Sequence, residues 1–192
     1  KQKFREYTPE IFCLPEFLDV KNYAEFISYI VESRNIDVCL ISNSYYGYYL
    51  VPWLRREFPD MAIIDYVHME EMYWRAGGYG RTSMAMGDFL EKTYVCNHAT
   101  RRNFVEKFNR SPEEVETIHI GVDYEKYNPE VVHYGKIRKE FNISDEDKII
   151  LFPCRLHSQK RPYLMLQIAK KVLEKRRDIY FLVVGDGPEY SL

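Results

Sequence analysis

Two cations five positions apart, Arg155 and Lys160, lie in a polar loop that follows a short apolar run at residues 149–152. Pro162 comes next and opens an amphipathic run. The order of strand, basic loop and helix predicts that both cations lie at the carboxyl end of a parallel strand, where open α/β sheets bind ligands and helix N-terminal N–H groups are free. Arginine offers phosphate oxygens a planar fork, and lysine a point charge. Phosphate binding is therefore the chemistry to consider here, and two solvated surface charges are the alternative.

A second turn, Gly185-Asp186-Gly187-Pro188, follows the next apolar run at residues 179–184. Its glycines permit a tight turn and close approach of another backbone or a ligand. The spacing is not Gly-x-Gly-x-x-Gly, so it does not predict a dinucleotide site. A turn that only connects two elements is the competing interpretation. Residues 185, 186 and 187 are candidates for a loop that lines a cleft.

Polar residues also follow two earlier apolar runs. His68 follows residues 61–67, and a histidine there could bond a substrate hydroxyl or transfer a proton. A loop histidine without a role is the alternative. Gly121 and Asp123 follow residues 117–120. The glycine would allow a sharp turn, and the aspartate is either a cap or a cleft residue.

Apolar runs and helical periodicity alternate along almost the whole chain. Strands are predicted at residues 37–42, 61–67, 92–96, 117–120, 149–152 and 179–184. Helices are predicted at residues 20–35, 44–58, 84–90, 97–108, 135–141 and 162–177, with a glycine-rich loop at residues 77–80. Continuous apolar strands that alternate with helices predict the α/β class with parallel sheets.

Side-chain spacing predicts which helix faces are buried. Asn43 or Ser44 is a candidate cap for the helix at residues 44–58, and Pro52 is expected to delay its start or kink it. The residues of this helix predicted to point inward are Tyr49, Leu50, Trp53 and Leu54. Those predicted to be buried in the helix at residues 162–177 are Met165, Ile168, Ala169, Val172 and Leu173.

The order of these elements predicts two domains. Residues 1–131 form the later part of a first Rossmann-like domain, residues 132–147 a linker, and residues 148–192 the first strand–helix–strand of a second domain. The chain begins without Met and stops at Leu192, where a helix is expected, so we expect a fragment of a larger protein. An incomplete second sheet would favour self-association.

Composition excludes several classes of function. The net charge of −2 and the lack of a long basic run give no indication of nucleic-acid binding. No window of about 18 apolar residues predicts a membrane span, and the first residues lack the apolar core of a signal peptide. The four cysteines are widely spaced and include no Cys-x2-Cys pair, so neither zinc nor a disulfide framework is indicated.

Taken in order, four segments resemble the family 4 glycosyltransferases, retaining enzymes with the GT-B fold. The segments are Lys92-Thr-Tyr-Val-Cys-Asn97, Thr117-Ile-His-Ile-Gly-Val-Asp-Tyr-Glu-Lys-Tyr-Asn-Pro129, Phe152-Pro-Cys-Arg-Leu-His-Ser-Gln-Lys-Arg-Pro162 and Val183-Val-Gly-Asp-Gly-Pro-Glu189. The resemblance covers roughly residues 35 to 192. His119-Ile120 stands where asparagine is common before Gly121, and Cys154 and Arg161 replace glycines that are usual in the family.

The resemblance implies an α/β fold with the Rossmann-like parallel sheets of a GT-B enzyme, incomplete in this chain. It implies that Arg155 and Lys160 hold the diphosphate of the donor and that His68 is an active-site residue near the transferred sugar. The loop residues expected to line the cleft are Gly121, Asp123, Gly185, Asp186 and Gly187. Neither a metal nor a cofactor is implied, because cations and helix N-termini can stabilise the leaving diphosphate.

The implied activity is transfer of a hexosyl group from a nucleotide sugar to a saccharide or lipid-linked acceptor. We expect the reaction to serve bacterial cell-surface polysaccharide synthesis in the cytoplasm or at the inner face of the membrane. Peripheral membrane association would then involve parts outside this chain. The resemblance places the family's Glu-x7-Glu donor segment beyond Leu192 and its glycine-rich loop before Lys1, so the chain alone is expected to be inactive.

Two other functions are alternatives. A nucleotide-sugar 2-epimerase also has the GT-B fold, although its motifs differ. A non-catalytic module that binds a nucleotide or a saccharide would keep the phosphate loop without the chemistry.

Overall fold

The computed structural model of the protein describes residues 2–68, 77–132 and 135–190. The chain divides into two compact units, Lys1–Gly121 and Val122–Leu192. Residues 132–147, predicted to be a linker, fall within the second unit in this division.

The first unit alternates helices and strands. Its helices are α1 (Gln2–Arg5), α2 (Tyr23–Arg34), α3 (Tyr45–Glu57), α4 (Gly78–Ala85) and α5 (His98–Glu106). Its strands are β1 (Val38–Ser42), β2 (Ala62–Val67), β3 (Lys92–Val95) and β4 (Val115–Thr117). They form one parallel sheet in the order β1-β2-β3-β4, so that the strand carboxyl ends lie along one edge.

The second unit contains α6 (Lys136–Glu140), β5 (Lys148–Pro153), α7 (Pro162–Leu173) and β6 (Ile179–Val184). β5 and β6 pair in parallel from Lys148 opposite Ile179 to Pro153 opposite Val184. The prediction of an α/β fold with parallel sheets is therefore confirmed in both units.

Local chemistry explains where several helices begin and end. Ser44 caps α3 by accepting a hydrogen bond from the Gly47 N–H at 3.0 Å, and Asn97 caps α5 by accepting one from the Thr100 N–H at 2.8 Å. Asn35 ends α2 in the left-handed conformation, with φ of +48°. Pro162 opens α7, where its missing N–H costs nothing. The predicted caps Ser44 and Asn97 are thus confirmed.

Three of the four residues predicted to point inward from α3 agree with the structure, because Leu54 is buried and Leu50 and Trp53 pack against the core. α3 begins at Tyr45 and continues through Pro52, and it buries Tyr48, Val51 and Leu54. Tyr49, predicted to be inward, is 70% exposed. Because the Ser44 cap sets the start of the helix, it also sets which side chains reach the sheet.

Three further bounds differ from the predictions. Residues 78–80, predicted to be a loop, begin α4, because the left-handed Gly77 (φ +106°) provides the turn that precedes it. β4 lies two residues earlier than predicted, and Ile118 and Ile120 are exposed. α7 ends at Leu173 rather than 177, and Ile168, predicted to be buried, is exposed.

The core of the first unit lies on the face of the sheet that α3 and α5 cover. Its larger cluster consists of Ile41, Tyr48, Val51, Leu54, Met61, Ile63 and Leu90. Its smaller cluster consists of Val67, Val95, Phe104 and Val115. Alternate residues of β2 point into this core, which makes Asp65 a core residue between Ile63 and Val67.

Asp65 is fully buried and hydrogen-bonded to the core. The Tyr48 hydroxyl donates to Oδ2 of Asp65 at 2.8 Å. Burial raises the pKa of Asp65, and nearby Ser83, Thr93 and Tyr48 oppose that shift only in part. Oδ1 of Asp65 and the hydroxyls of Ser83 and Thr93 have no hydrogen bond of standard geometry. Burial thus favours the uncharged acid, whereas the three hydroxyl groups and the charge of Arg110 favour the carboxylate.

We expect the substitution Asp65→Asn to remove a pH dependence of stability. Burial raises the folded-state pKa above the unfolded value of about 3.9. The stability that the protonated acid contributes is therefore complete below about pH 4 and is lost as the pH rises through the folded-state pKa. Asparagine cannot ionise, so Asp65→Asn should be at least as stable as the parent protein at pH 7. Urea unfolding followed by circular dichroism between pH 4 and 8 measures this.

Asp65→Ala is the matched comparison. It leaves the buried Tyr48 hydroxyl without an acceptor and should lower the free energy of unfolding by about 1–3 kcal/mol. A pH profile that is the same in Asp65→Asn and the parent protein would contradict the role given to this carboxyl group.

Candidate functional site

Arg155 and Lys160 lie where the sequence predicted, between the carboxyl end of β5 and the start of α7. Both residues are exposed. Within the described part of the chain, neither side chain forms an ion pair or a hydrogen bond. The loop therefore offers two uncompensated positive charges beside a helix N-terminus, where the first N–H groups lack partners within the helix.

The loop is held in place by backbone pairing that continues beyond the two strands. The Cys154 N–H donates to the Val184 carbonyl at 3.0 Å, and the Leu156 N–H donates to the Asp186 carbonyl at 2.9 Å. The Glu189 N–H then donates to the Leu156 carbonyl at 3.1 Å. Arg155 thus lies between two residues whose backbones are bonded to the turn after β6.

Gly185 and Gly187 make this pairing possible. A Cβ atom on Gly185 would lie 1.8 Å from the Cys154 carbonyl oxygen, and one on Gly187 would lie 2.2 Å from the Leu156 carbonyl oxygen. Both glycines also have positive φ, +153° and +159°. These candidates therefore have a defined structural role, which is to let the turn approach the basic loop.

The approach to α7 contains a second tight turn. His157 caps the 3-10 helix Ser158–Lys160, its Nδ1 accepting a hydrogen bond from the Gln159 N–H at 3.3 Å. Arg161 follows in the left-handed conformation, with φ of +54°. That conformation favours glycine, and glycine is usual at this position in the family that the sequence resembles.

The acidic candidates of the two loops are both bonded to nearby backbone. Asp186 Oδ1 accepts a hydrogen bond from the Gly187 N–H at 2.7 Å. Asp123 Oδ1 accepts one from the Lys126 N–H at 3.0 Å, which is the capping role considered for it. Gly121 is exposed, and a Cβ atom there would meet nothing within 4 Å.

His68 lies at the carboxyl end of β2 and is half-buried. Its Nε2 lies 3.0 Å from the Ser42 hydroxyl oxygen, and its ring lies against Tyr66, with 4.2 Å between the ring centroids. The His68 carbonyl accepts a hydrogen bond from the Cys96 thiol at 3.0 Å. Residues at the ends of β1, β2 and β3 therefore meet at this histidine.

A neighbouring pair of histidines lies at the ends of β3 and β4. The rings of His98 and His119 make an edge-to-face contact with 5.2 Å between centroids. His119 Nδ1 lies 3.1 Å from the Cys96 carbonyl oxygen, and the Tyr66 hydroxyl donates to the Ile118 carbonyl at 2.6 Å. These contacts keep residues 118 and 119 over the edge of the sheet after β4 ends.

Sequence reasoning did not select Ser42, Tyr66, Cys96 or His119 as site residues. Each lies within two residues of the end of a strand. Because parallel strands end at one edge, the last residues of every predicted strand could have been examined together. The side-chain contacts themselves could not have been predicted from their spacing.

Two kinds of feature are absent from residues 2–68, 77–132 and 135–190. No group of three or more His, Cys, Asp or Glu side chains in these ranges is placed to hold a metal ion. No helix in the same ranges is both long and apolar enough to cross a membrane.

Known proteins similar in sequence are named as glycosyltransferases, although no protein-family model matches the chain. Over 173 residues, 88% of the chain, it is 27% identical to the Bacillus subtilis (strain 168) protein named "Putative glycosyltransferase YtcC" and covers 41% of that protein. Over 102 residues, 53% of the chain, it is 26% identical to the phosphatidylinositol N-acetylglucosaminyltransferase GPI3 subunit of Saccharomyces cerevisiae (strain ATCC 204508 / S288c), of which it covers 22%.

Solved structures share the fold. A glycosyltransferase from Rickettsia africae ESF-5 matches with a TM-score of 0.61 at 19% identity, over 86% of this chain and 43% of that one. Anabaena Alr3699/HepE, crystallised with UDP and glucose, matches with a TM-score of 0.60 at 13% identity, over 94% of this chain and 46% of that one. The α/β fold with parallel sheets is thus that of GT-B glycosyltransferases. The chain spans less than half of the length of each of these proteins.

We expect Gly185→Ala and Gly187→Ala to displace the basic loop. An added methyl group would overlap the Cys154 or Leu156 carbonyl oxygen, and relief of that overlap should cost about 1–3 kcal/mol. Hydrogen exchange of the Leu156 amide, which is bonded to Asp186, should become faster in either variant. Gly121→Ala is the control for folding, because that site has space and ordinary φ. Unchanged Leu156 exchange in both loop variants would contradict the clamping role.

Proposed function

We propose that the protein takes part in glycosyl transfer from a nucleotide-sugar donor, with Arg155 and Lys160 binding the donor diphosphate. The observation that carries this proposal is the basic loop. Its two cations have no counter-ion among the described residues, its backbone is clamped by Gly185 and Gly187, and it precedes the N-terminus of α7. The similarity in sequence to YtcC and the yeast GPI3 subunit supports transfer chemistry. The UDP and glucose in the HepE crystal support a nucleotide sugar as the ligand class.

In this proposal the loop stabilises the charge that develops as the donor breaks. The bond between the anomeric carbon and the diphosphate oxygen breaks, and the acceptor hydroxyl oxygen bonds the anomeric carbon. The proton of the acceptor hydroxyl is transferred to the departing diphosphate. The guanidinium of Arg155, the ammonium of Lys160 and the free N–H groups of α7 would stabilise the diphosphate without a metal ion.

We assign His68 to the sugar rather than to the diphosphate. An imidazole ring can both donate a hydrogen bond to a hydroxyl group and accept one from it. Transfer with retained configuration, a hexosyl donor, and a saccharide or lipid-linked acceptor complete the proposal. The resemblance to family 4 enzymes supports these finer points.

Arg155→Ala and Lys160→Ala should each weaken UDP binding. Loss of one charge-assisted hydrogen bond to phosphate lowers affinity about ten- to hundredfold. Isothermal titration calorimetry with UDP measures this, and Lys171→Ala is the matched control, because Lys171 is an exposed cation in the last turn of α7. Unchanged affinity in both loop variants would overturn the assignment of the diphosphate site.

His68→Ala should leave UDP affinity unchanged and reduce the additional affinity of UDP-glucose over UDP. The reason is that His68 is assigned to the sugar only. Calorimetry with the two ligands measures that difference. An equal loss for UDP and UDP-glucose would contradict the separation of roles.

Product analysis distinguishes the competing functions. A transferase releases UDP in proportion to the glycosylated acceptor. A 2-epimerase inverts the configuration at C2 of the donor sugar and needs no acceptor. A binding module does neither. Nuclear magnetic resonance of the donor over time reports all three outcomes. This chain spans 41% of the length of YtcC, so the transferase proposal predicts the first outcome for a protein of the relative's full length with its acceptor.

A further inference from the structure

Of the two ring nitrogens of His68, one already has a partner. Nε2 lies 3.0 Å from the Ser42 hydroxyl oxygen. Nδ1 has no hydrogen-bond partner in the described part of the chain. A ligand that meets this imidazole therefore meets Nδ1, provided that the ring keeps its orientation.

The surroundings of His68 oppose rotation of the ring. Tyr66 lies against it with a centroid distance of 4.2 Å and an interplanar angle of 45°. Tyr66 is itself tied to the Ile118 carbonyl through its hydroxyl at 2.6 Å. The backbone of His68 is bonded on both sides, to the Asn43 side chain at 3.5 Å and to the Cys96 thiol at 3.0 Å.

Strand register explains why Ser42 is the residue that reaches Nε2. Ser42 is the last residue of β1 and lies opposite Tyr66 of β2. Side chains two residues apart along a strand point to the same face of the sheet. His68 therefore lies on the same face as Tyr66, and the Ser42 side chain lies on that face too. The contact thus follows from the pairing of β1 with β2, although the two residues are 26 positions apart.

We propose that Ser42 is a positioning residue that donates its hydroxyl hydrogen to Nε2 of His68 and so selects the Nδ1–H tautomer of the neutral ring. This inference rests on the proposed function, because it specifies how His68 would serve the sugar. With Nε2 occupied and Nδ1 protonated, the ring has no free lone pair. His68 then acts as a hydrogen-bond donor to a sugar oxygen and not as a general base.

The chemistry of the proposed reaction favours a donor at this point. In the proposed step the proton of the acceptor hydroxyl passes to the departing diphosphate, so the reaction does not require His68 to act as a base. An N–H group bonded to a sugar hydroxyl can hold the sugar in one orientation without taking a proton from it. A basic nitrogen at the same point would compete for the proton of that hydroxyl.

The test is the tautomer of His68 in the protein labelled with ¹⁵N-histidine. Long-range ¹H–¹⁵N spectra recorded at about pH 8.5 distinguish Nδ1–H from Nε2–H. We expect Nδ1–H to dominate for His68 and its share relative to Nε2–H to fall about two- to tenfold in Ser42→Ala, the effect of one ordinary hydrogen bond. Ser42→Thr retains the hydroxyl and should retain the tautomer.

Internal controls come from the same spectra. His98 and His119 do not contact Ser42, so their signals should be the same in the parent protein and in Ser42→Ala. A dominant Nε2–H form of His68 in the parent protein would overturn the proposal without any variant. So would an unchanged tautomer ratio in a folded Ser42→Ala.

The two proposals can fail separately. If UDP and UDP-glucose do not bind but His68 is held as Nδ1–H by Ser42, only the proposed function fails. If both ligands bind and the tautomer is Nε2–H, only the role of Ser42 fails.

Discussion

Parallel strand pairing is the constraint on which both groups of candidate residues depend. In the first unit it aligns the ends of four strands, so that Ser42, His68 and Cys96 make direct contacts despite their separation in sequence. In the second unit it brings the loop after β5 beside the turn after β6, and backbone hydrogen bonds continue past the last paired residues. A shift of register by one residue would turn these side chains to the other face.

The two units present different chemistry at their strand ends. The second unit offers positive charge on a constrained loop. Gly185 and Gly187 allow the turn after β6 to approach the backbone of this loop. Arg155 and Lys160 have no counter-ions among the described residues. The first unit offers an oriented imidazole supported by a hydroxyl, an aromatic ring and a thiol. Positive charge suits an anionic ligand, and imidazole and hydroxyl groups suit a ligand rich in hydroxyl groups.

The predictions that depended on local chemistry agree best with the structure. Alternating apolar runs identified six parallel strands, and cap residues such as Asn97 identified helix starts, because both signals reside in neighbouring residues. Predictions that required tertiary information did less well. Tyr49 and Tyr48 cannot be distinguished by composition, and only packing shows that Tyr48 bonds the buried Asp65. The contact between Ser42 and His68 likewise depends on strand register, which the sequence does not reveal.

The central claim is that the basic loop of the second unit is a binding site for nucleotide diphosphates. Titration of the ¹⁵N-labelled protein with UDP, followed through backbone amide shifts, tests it most directly. The account predicts saturable shifts concentrated at residues 154–164 and 185–187, with little change on α6. Shifts that avoid the loop, or no saturable shift at millimolar UDP, would contradict it.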